Sequence, residues 1–169
     1  MALEDILGQV PIDDIAAKLG VSPDEAKKAV EQGGAVLVSG LAKNAESSEG
    51  SAAIQRALKK HEGAKPVKKV DEVDQSDGDK IVEHVLGDKA KNVAAELNAS
   101  EKTPGIDFGK LLPILAPIVM GLIANKSKSA SADDAQSGGG IGDIIGGLLG
   151  GNGSGGGIGD LLGGLFGKK

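Results

Sequence analysis

Glycine is gathered at one end of this chain. More than half of its 28 glycines follow Ser137. Ordering glycine is expensive: in a helix it is about 1 kcal/mol worse than alanine. Residues 138–169 are therefore expected to stay largely disordered unless a partner orders them. A folded domain has to come from what precedes them. There the apolar residues recur at helical spacing. The expected fold class is all-α, with one or more small helical domains followed by a largely disordered glycine-rich C-terminal tail.

The helical part divides by its punctuation. An N-terminal helical region is expected over 2–63, opening on a short amphipathic stretch, Leu3–Leu7. Pro11 suits the first turn of a helix, where its missing N–H costs nothing. Ile12, Ile15, Ala16 and Leu19 share one face, and Gly20 ends the helix. Ser22, Pro23 and Glu25 spell an N-cap, an N1 proline and the N3 partner of a capping box. Ala26, Ala29 and Val30 carry the next helix. Gly33-Gly34 is expected to loosen or bend it before Val36, Leu37, Leu41 and Ala42 continue. Ser47–Gly50 reads as a turn, and Ala53, Ile54, Ala57 and Leu58 as a further helical face ending at Gly63. A charged linker is expected over 64–76.

A C-terminal helical region follows over 77–126. Ile81, Val82, Val85 and Leu86 form one short helix ending at Gly87, and Ala90, Val93, Ala94 and Leu97 another. Thr103-Pro104-Gly105 breaks the chain. Asp107 then caps an apolar helix expected over 108–125, the central element of the domain. The tail is assigned to 127–169.

Phe108 and Phe166 are the only aromatic residues. The core must be aliphatic and rich in alanine, which buries little area at about 25 cal/mol per Å². That predicts modest stability, helped by self-association. The charge-free run Leu111–Ala124 is roughly 14 residues long. It falls short of the about 20 that cross a bilayer and contains Pro113 and Pro117, so a buried core helix is expected. The formal net charge of −5 disfavours nucleic acid as a partner. The absence of cysteine excludes disulfides and thiol chemistry. The first ten residues carry Glu4 and Asp5 and no cation, unlike a secretory signal, so a cytoplasmic location is expected.

Four stretches together resemble a known family: Pro11–Val30 (PIDDIAAKLGVSPDEAKKAV), Gly40–Ala45 (GLAKNA), Ile81–Gly87 (IVEHVLG) and Leu111–Ile123 (LLPILAPIVMGLI). In this order, with a glycine-rich tail behind them, they are similar to the bacterial domain of unknown function number 937, the YidB-like family. The resemblance implies an all-helical fold. It implies no established activity, catalytic residue or cofactor. The low aromatic content and the charged stretch Lys65–Asp74 depart from it.

No motif carries catalytic chemistry. Ile12–Val30 resembles a helix-turn-helix, with small residues at Ala16 and Gly20. A DNA reader offers the start of its second helix to the phosphates and base edges. Here that start is Pro23-Asp24-Glu25, so a structural corner is the better reading and a DNA-associated regulator the alternative. His61 is expected at a solvated helix end and His84 partly buried, neither at metal-ligand spacing. Ser39, beside Gly40, reads as a small residue at a close helix contact. The glycine runs 138–142 and 155–159 follow no strand and precede no Lys-Ser/Thr, so they are spacers and not phosphate loops. Asp133-Asp134 lies in a polar stretch that cannot fix two carboxylates. No enzyme activity, cofactor, metal or small-molecule substrate is expected.

The tail is the exception. Residues 138–151 (GGGIGDIIGGLLGG) recur at 155–168 (GGGIGDLLGGLFGK), 17 positions later. Each unit places bulky pairs four residues apart, on one face if a helix forms. The candidate interaction residues are Ile144, Ile145, Leu148 and Leu149 in the first unit, and Leu161, Leu162, Leu165 and Phe166 in the second. Such side chains are costly to leave in water. The expected partner is a protein or the chain itself, as a homo-oligomer or filament. Membrane-surface attachment is the less favoured alternative, because Lys168-Lys169 are the only cations nearby and surface helices carry a basic face.

Overall fold

The computed structural model describes residues 8–65, 67–133 and 145, with backbone only for 126–133. The described residues form six α-helices and no strand. They are α1 (Ile12–Leu19), α2 (Pro23–Ala45), α3 (Ser48–His61), α4 (Gln75–Leu86), α5 (Ala90–Asn98) and α6 (Phe108–Asp133). The fold is all-α, as the periodicity predicts.

Local chemistry sets the boundaries. Gly20 takes φ 70° and closes α1 in the left-handed region, where L side chains are strained. The capping box of α2 is complete. Glu25 N–H donates to Ser22 Oγ (3.3 Å), and Ser22 N–H donates to Glu25 Oε2 (2.9 Å). Ser47 does more than turn the chain: its Oγ accepts from Gly50 N–H (3.0 Å) and caps α3. Glu49 and Gly50 are already helical. Gly87, at φ 58°, ends α4. Asp107 caps α6 as the sequence suggests, its Oδ1 accepting from Gly109 N–H (3.0 Å).

Helix α6 is the axis of the fold. It packs against α2, α3, α4 and α5. Phe108, Leu111, Leu112, Leu115, Met120 and Ile123 are fully buried along it. A helix apolar on all sides needs such a sheath. The stretch Phe108–Asn125 is long and apolar enough to cross a membrane by length and composition, yet 78% of it is buried inside the protein. It is the core helix.

Small residues let neighbours reach that axis. Helix α2 runs unbroken through Gly33-Gly34, so the pair does not interrupt it. Tertiary packing explains the difference. A Cβ on Gly33 would stand 2.9 Å from Leu115 Cδ1, so the glycine serves a close crossing with α6. Gly40 likewise faces α4, where a Cβ would stand 2.5 Å from Val85 Cγ1. The tightest approach is Gly78 of α4 against α6: a Cβ there would collide with the Pro113 carbonyl oxygen. That carbonyl has a reason to be exposed to a neighbour. Its usual intrahelical donor would be residue 117, and Pro117 has no N–H. Gly78 offers it a Cα–H contact instead.

Part of the charged stretch expected over 64–76 packs on the same core, and its last two residues, Gln75 and Ser76, already belong to α4. Val70 is fully buried and Val73 nearly so, and residues 70–72 form a 3-10 turn. The Val70 N–H donates to Asp14 Oδ2 (2.6 Å) on α1. Buried residues from α1 through α6 form a single contiguous cluster.

Candidate interaction site

The expected contact residues lie beyond α6 in sequence. Eight residues before the end of that helix, Asn125 ties it to the segment after α3. Its Oδ1 accepts from Gly63 N–H (3.1 Å), and its Nδ2 donates to Ala64 O (3.0 Å). Gly63 and Ala64 are thereby held against α6 at Asn125. Gly121, one turn earlier, allows the approach, since a Cβ there would stand 3.0 Å from Ala64 Cβ.

Of the eight aliphatic and aromatic tail residues singled out, Ile145 is described. Its side chain is 0% exposed, and it belongs to the same contiguous core as α2, α4 and α6. Among the described residues its nearest core neighbour in sequence is Ala124. Ile144, Leu148, Leu149, Leu161, Leu162, Leu165 and Phe166 lie outside the described residues, as do the amphipathic stretch Leu3–Leu7 and both glycine runs. Ile145 is thus a core residue delivered from within the first repeat unit, across a polar, glycine-bearing spacer.

The corner formed by α1, Gly20 and α2 presents different chemistry. Pro23 and Asp24 are exposed at the start of α2. Glu25 turns back into its own cap, where the Ser22 N–H and then its hydroxyl hold the carboxyl below the usual glutamate range. The polar side of α1 is used within the fold. Lys18 Nζ donates to Asp71 Oδ1 (2.7 Å), and Asp14 anchors Val70. The hydrogen bond and charge of Asp71 raise Lys18, and those of Lys18 lower Asp71. The corner thus spends Lys18 on an internal pair and shows Asp24 outward, beside the exposed Lys27 and Lys28.

The two histidines exchange their expected environments. His84 is exposed on α4. His61, expected in solvent, has a side chain only 14% exposed, with Nε2 3.2 Å from Asp77 Oδ2. The cause is the packing of the α3 end beside the first turn of α4, which a helical wheel of either helix alone cannot show. Among the described residues, no group of three His, Cys, Asp or Glu is arranged to hold a metal ion. Ser39 is half-buried on α2 beside Gly40, and its hydroxyl is buried without a hydrogen-bond partner.

Sequence spacing gave no sign of the long-range clamps. Asn44 Nδ2 donates to Val85 O (2.9 Å), Asn98 Oδ1 accepts from Phe108 N–H (2.7 Å), and Thr103 Oγ1 donates to Gln32 Oε1 (3.3 Å). Most of these partners are tens of residues apart, beyond any local motif.

No curated protein and no solved structure matches this chain. A family model does, over residues 2–126, which span α1 through the core portion of α6 and stop short of the tail. On that match the chain belongs to a family of bacterial proteins of unknown function, DUF937.

Proposed function

We propose that this protein is a non-enzymatic interaction protein that self-associates through the aliphatic units of its glycine-rich tail, with its helical domain as the receptor. The observation that carries the reading is the complete burial of Ile145 in the core. Burying one isoleucine stabilises by about 1.5–3 kcal/mol relative to leaving it in water. That supports a domain surface able to receive a tail residue. The tail holds a second unit of the same pattern at 155–168. A chain with a receptor and a surplus donor at a distance has what a heterologous contact requires, and such contacts close into rings or extend as filaments. Two units on one tether also raise avidity through effective concentration.

The absence of cysteine and the scatter of carboxylates over helix surfaces support the non-enzymatic half of the reading. The acidic start of α2 supports a protein partner over DNA.

The test compares the sedimentation of the full chain with that of a chain ending at Ser137, over a concentration series, with circular dichroism confirming that both are helical. The full chain is expected to gain mass with concentration and the shortened one to remain a monomer. Two identical monomers would refute self-association through the tail.

A further inference from the structure

Charge is unevenly placed in this fold. Between residues 56 and 69 stand six cations, Arg56, Lys59, Lys60, Lys65, Lys68 and Lys69, against one carboxylate, Glu62. That segment carries +5 in a chain of net −5, so the rest carries −10. The nine residues 71–79 then hold five carboxylates and no cation.

The fold treats the two blocks differently. Four of the five carboxylates are engaged internally. Asp71 pairs with Lys18 (2.7 Å), and Glu72 Oε2 accepts from Lys68 N–H (2.9 Å). Asp74 Oδ1 accepts from Asp77 N–H (3.2 Å), and Asp77 Oδ2 lies 3.2 Å from His61 Nε2. The cations have no such use. All six are exposed. Among the described residues none of their side chains makes an ion pair or a hydrogen bond, and Lys69 acts on Asp71 through charge alone.

Helical spacing collects three of them. Ile54 and Leu58 bury one side of α3. Arg56, Lys59 and Lys60, at i, i+3 and i+4, share the other. The helix dipole favours cations in the last turn, which accounts for Lys59 and Lys60. It gives no role to Arg56 or to the three lysines after the helix. Those three begin beside Ala64, which Asn125 holds against α6, and end beside Val70, whose N–H is held by Asp14. The cations thus follow a strip at most about 35 Å long.

We propose that this strip is a docking surface for an acidic, extended segment of a partner protein. It is separate from self-association through the tail and uses no tail residue. Charge complementarity calls for an anion, and the footprint narrows its kind. Like charge closes the strip at each end. The exposed Glu49 shares the side of Arg56 two turns earlier on α3, and the 71–79 block follows Lys69. A long duplex or a bilayer leaflet extends past such a strip and brings its phosphates against those carboxylates. An extended peptide of about ten residues spans about 33 Å and ends where the strip does.

Residue type agrees. Five of the six cations are lysines, flexible point charges that suit carboxylates in no fixed geometry. A site for individual phosphates favours the bidentate fork of arginine. Among the described residues the one aromatic ring, Phe108, is fully buried and cannot stack on a base.

The experiment uses the full chain and a fluorescein-labelled peptide of about ten glutamates, matched to that span and read by anisotropy. The chain is acidic overall, so such a peptide is repelled except at a basic surface. Two variants neutralise the strip: Arg56→Gln with Lys59→Gln and Lys60→Gln, and Lys65→Gln with Lys68→Gln and Lys69→Gln. A control, Lys89→Gln with Lys91→Gln and Lys102→Gln, removes the same charge from exposed lysines elsewhere. All nine positions are exposed, so every variant is expected to keep the helical circular dichroism of the parent. The peptide is expected to bind the parent and to lose affinity with added salt. Each strip variant is expected to weaken binding about tenfold, and the control less than about twofold.

No binding to the parent, or equal losses in strip and control variants, overturns the proposal. Loss in one strip variant alone divides the strip and overturns it too. A DNA duplex and vesicles containing phosphatidylserine are measured beside the peptide at the same salt. If either binds the parent more tightly than the peptide and loses that binding in the strip variants, the surface serves another class of partner and the proposal is wrong.

Discussion

At the scale of single residues, three glycines that look alike in sequence have different physical duties. Gly78 meets a backbone carbonyl of α6, which cannot move without the helix. Gly33 meets the tip of Leu115, which can rotate, and sits inside a helix that alanine favours by about 1 kcal/mol. Gly20 has open space around it but a φ of 70°. Urea unfolding of the three alanine variants should separate them. Gly78→Ala is expected to cost about 3 kcal/mol or more through overpacking against backbone. Gly20→Ala should cost about 1–2 kcal/mol from the left-handed conformation alone. Gly33→Ala should fall within about 1 kcal/mol of the parent, because clash and propensity oppose each other. A Gly78→Ala protein as stable as the parent would mean that α4 and α6 do not meet at Pro113. Sequence could show that Gly20 ends a helix, because caps are local. It could not distinguish Gly33 from Gly78, because the atom each one faces lies far away in the chain.

At the scale of elements, the corner of α1 and α2 was legible almost residue by residue. Pro11, Gly20 and the Ser22–Glu25 box all act within four positions of themselves. How α1 is held was not legible: Lys18 reaches Asp71 and Asp14 reaches Val70 across more than fifty residues. This docking has a signature in pH. Asp71 is lowered in the folded protein by the hydrogen bond and charge of Lys18, so its contribution is complete above the ordinary aspartate value and is lost as pH falls through the lower folded value. Lys18 is raised by the same partner, so its contribution is complete below the ordinary lysine value and is lost as pH rises through the higher folded one. Thermal melts of the parent and Asp71→Asn are expected to differ slightly at neutral pH. The gap should close below the aspartate range and shrink with added salt, because both side chains are exposed. A gap unchanged at low pH would show that the pair does not form. The glycine pair of α2 carries the opposite lesson. Propensity disfavours Gly33-Gly34 inside a helix, yet the helix continues through them and Gly33 packs against Leu115, Leu112 and Phe108.

At the scale of the whole molecule, a helix that needs covering on every side and a tail that needs a partner belong to one chain. The sequence shows both needs: α6 is free of charge from Leu111 to Ala124, and the tail repeats its bulky pairs on glycine spacers. What it could not show is that Ile145 lies in the core, because its burial depends on residues far away in the chain. Of the predicted contact residues, the one described lies in the core, and that fact supports the reading of this DUF937 member as a receptor for its own tail motif. The chain contains no cysteine, so Ile145→Cys creates a unique thiol whose reaction with a disulfide reagent reports on that position alone. In native buffer at low protein concentration the thiol should react about ten- to a hundredfold more slowly than in denaturant, as expected for a reversibly buried aliphatic position. Equal rates in the two solvents, in a protein that remains helical, would show that the domain does not hold its tail.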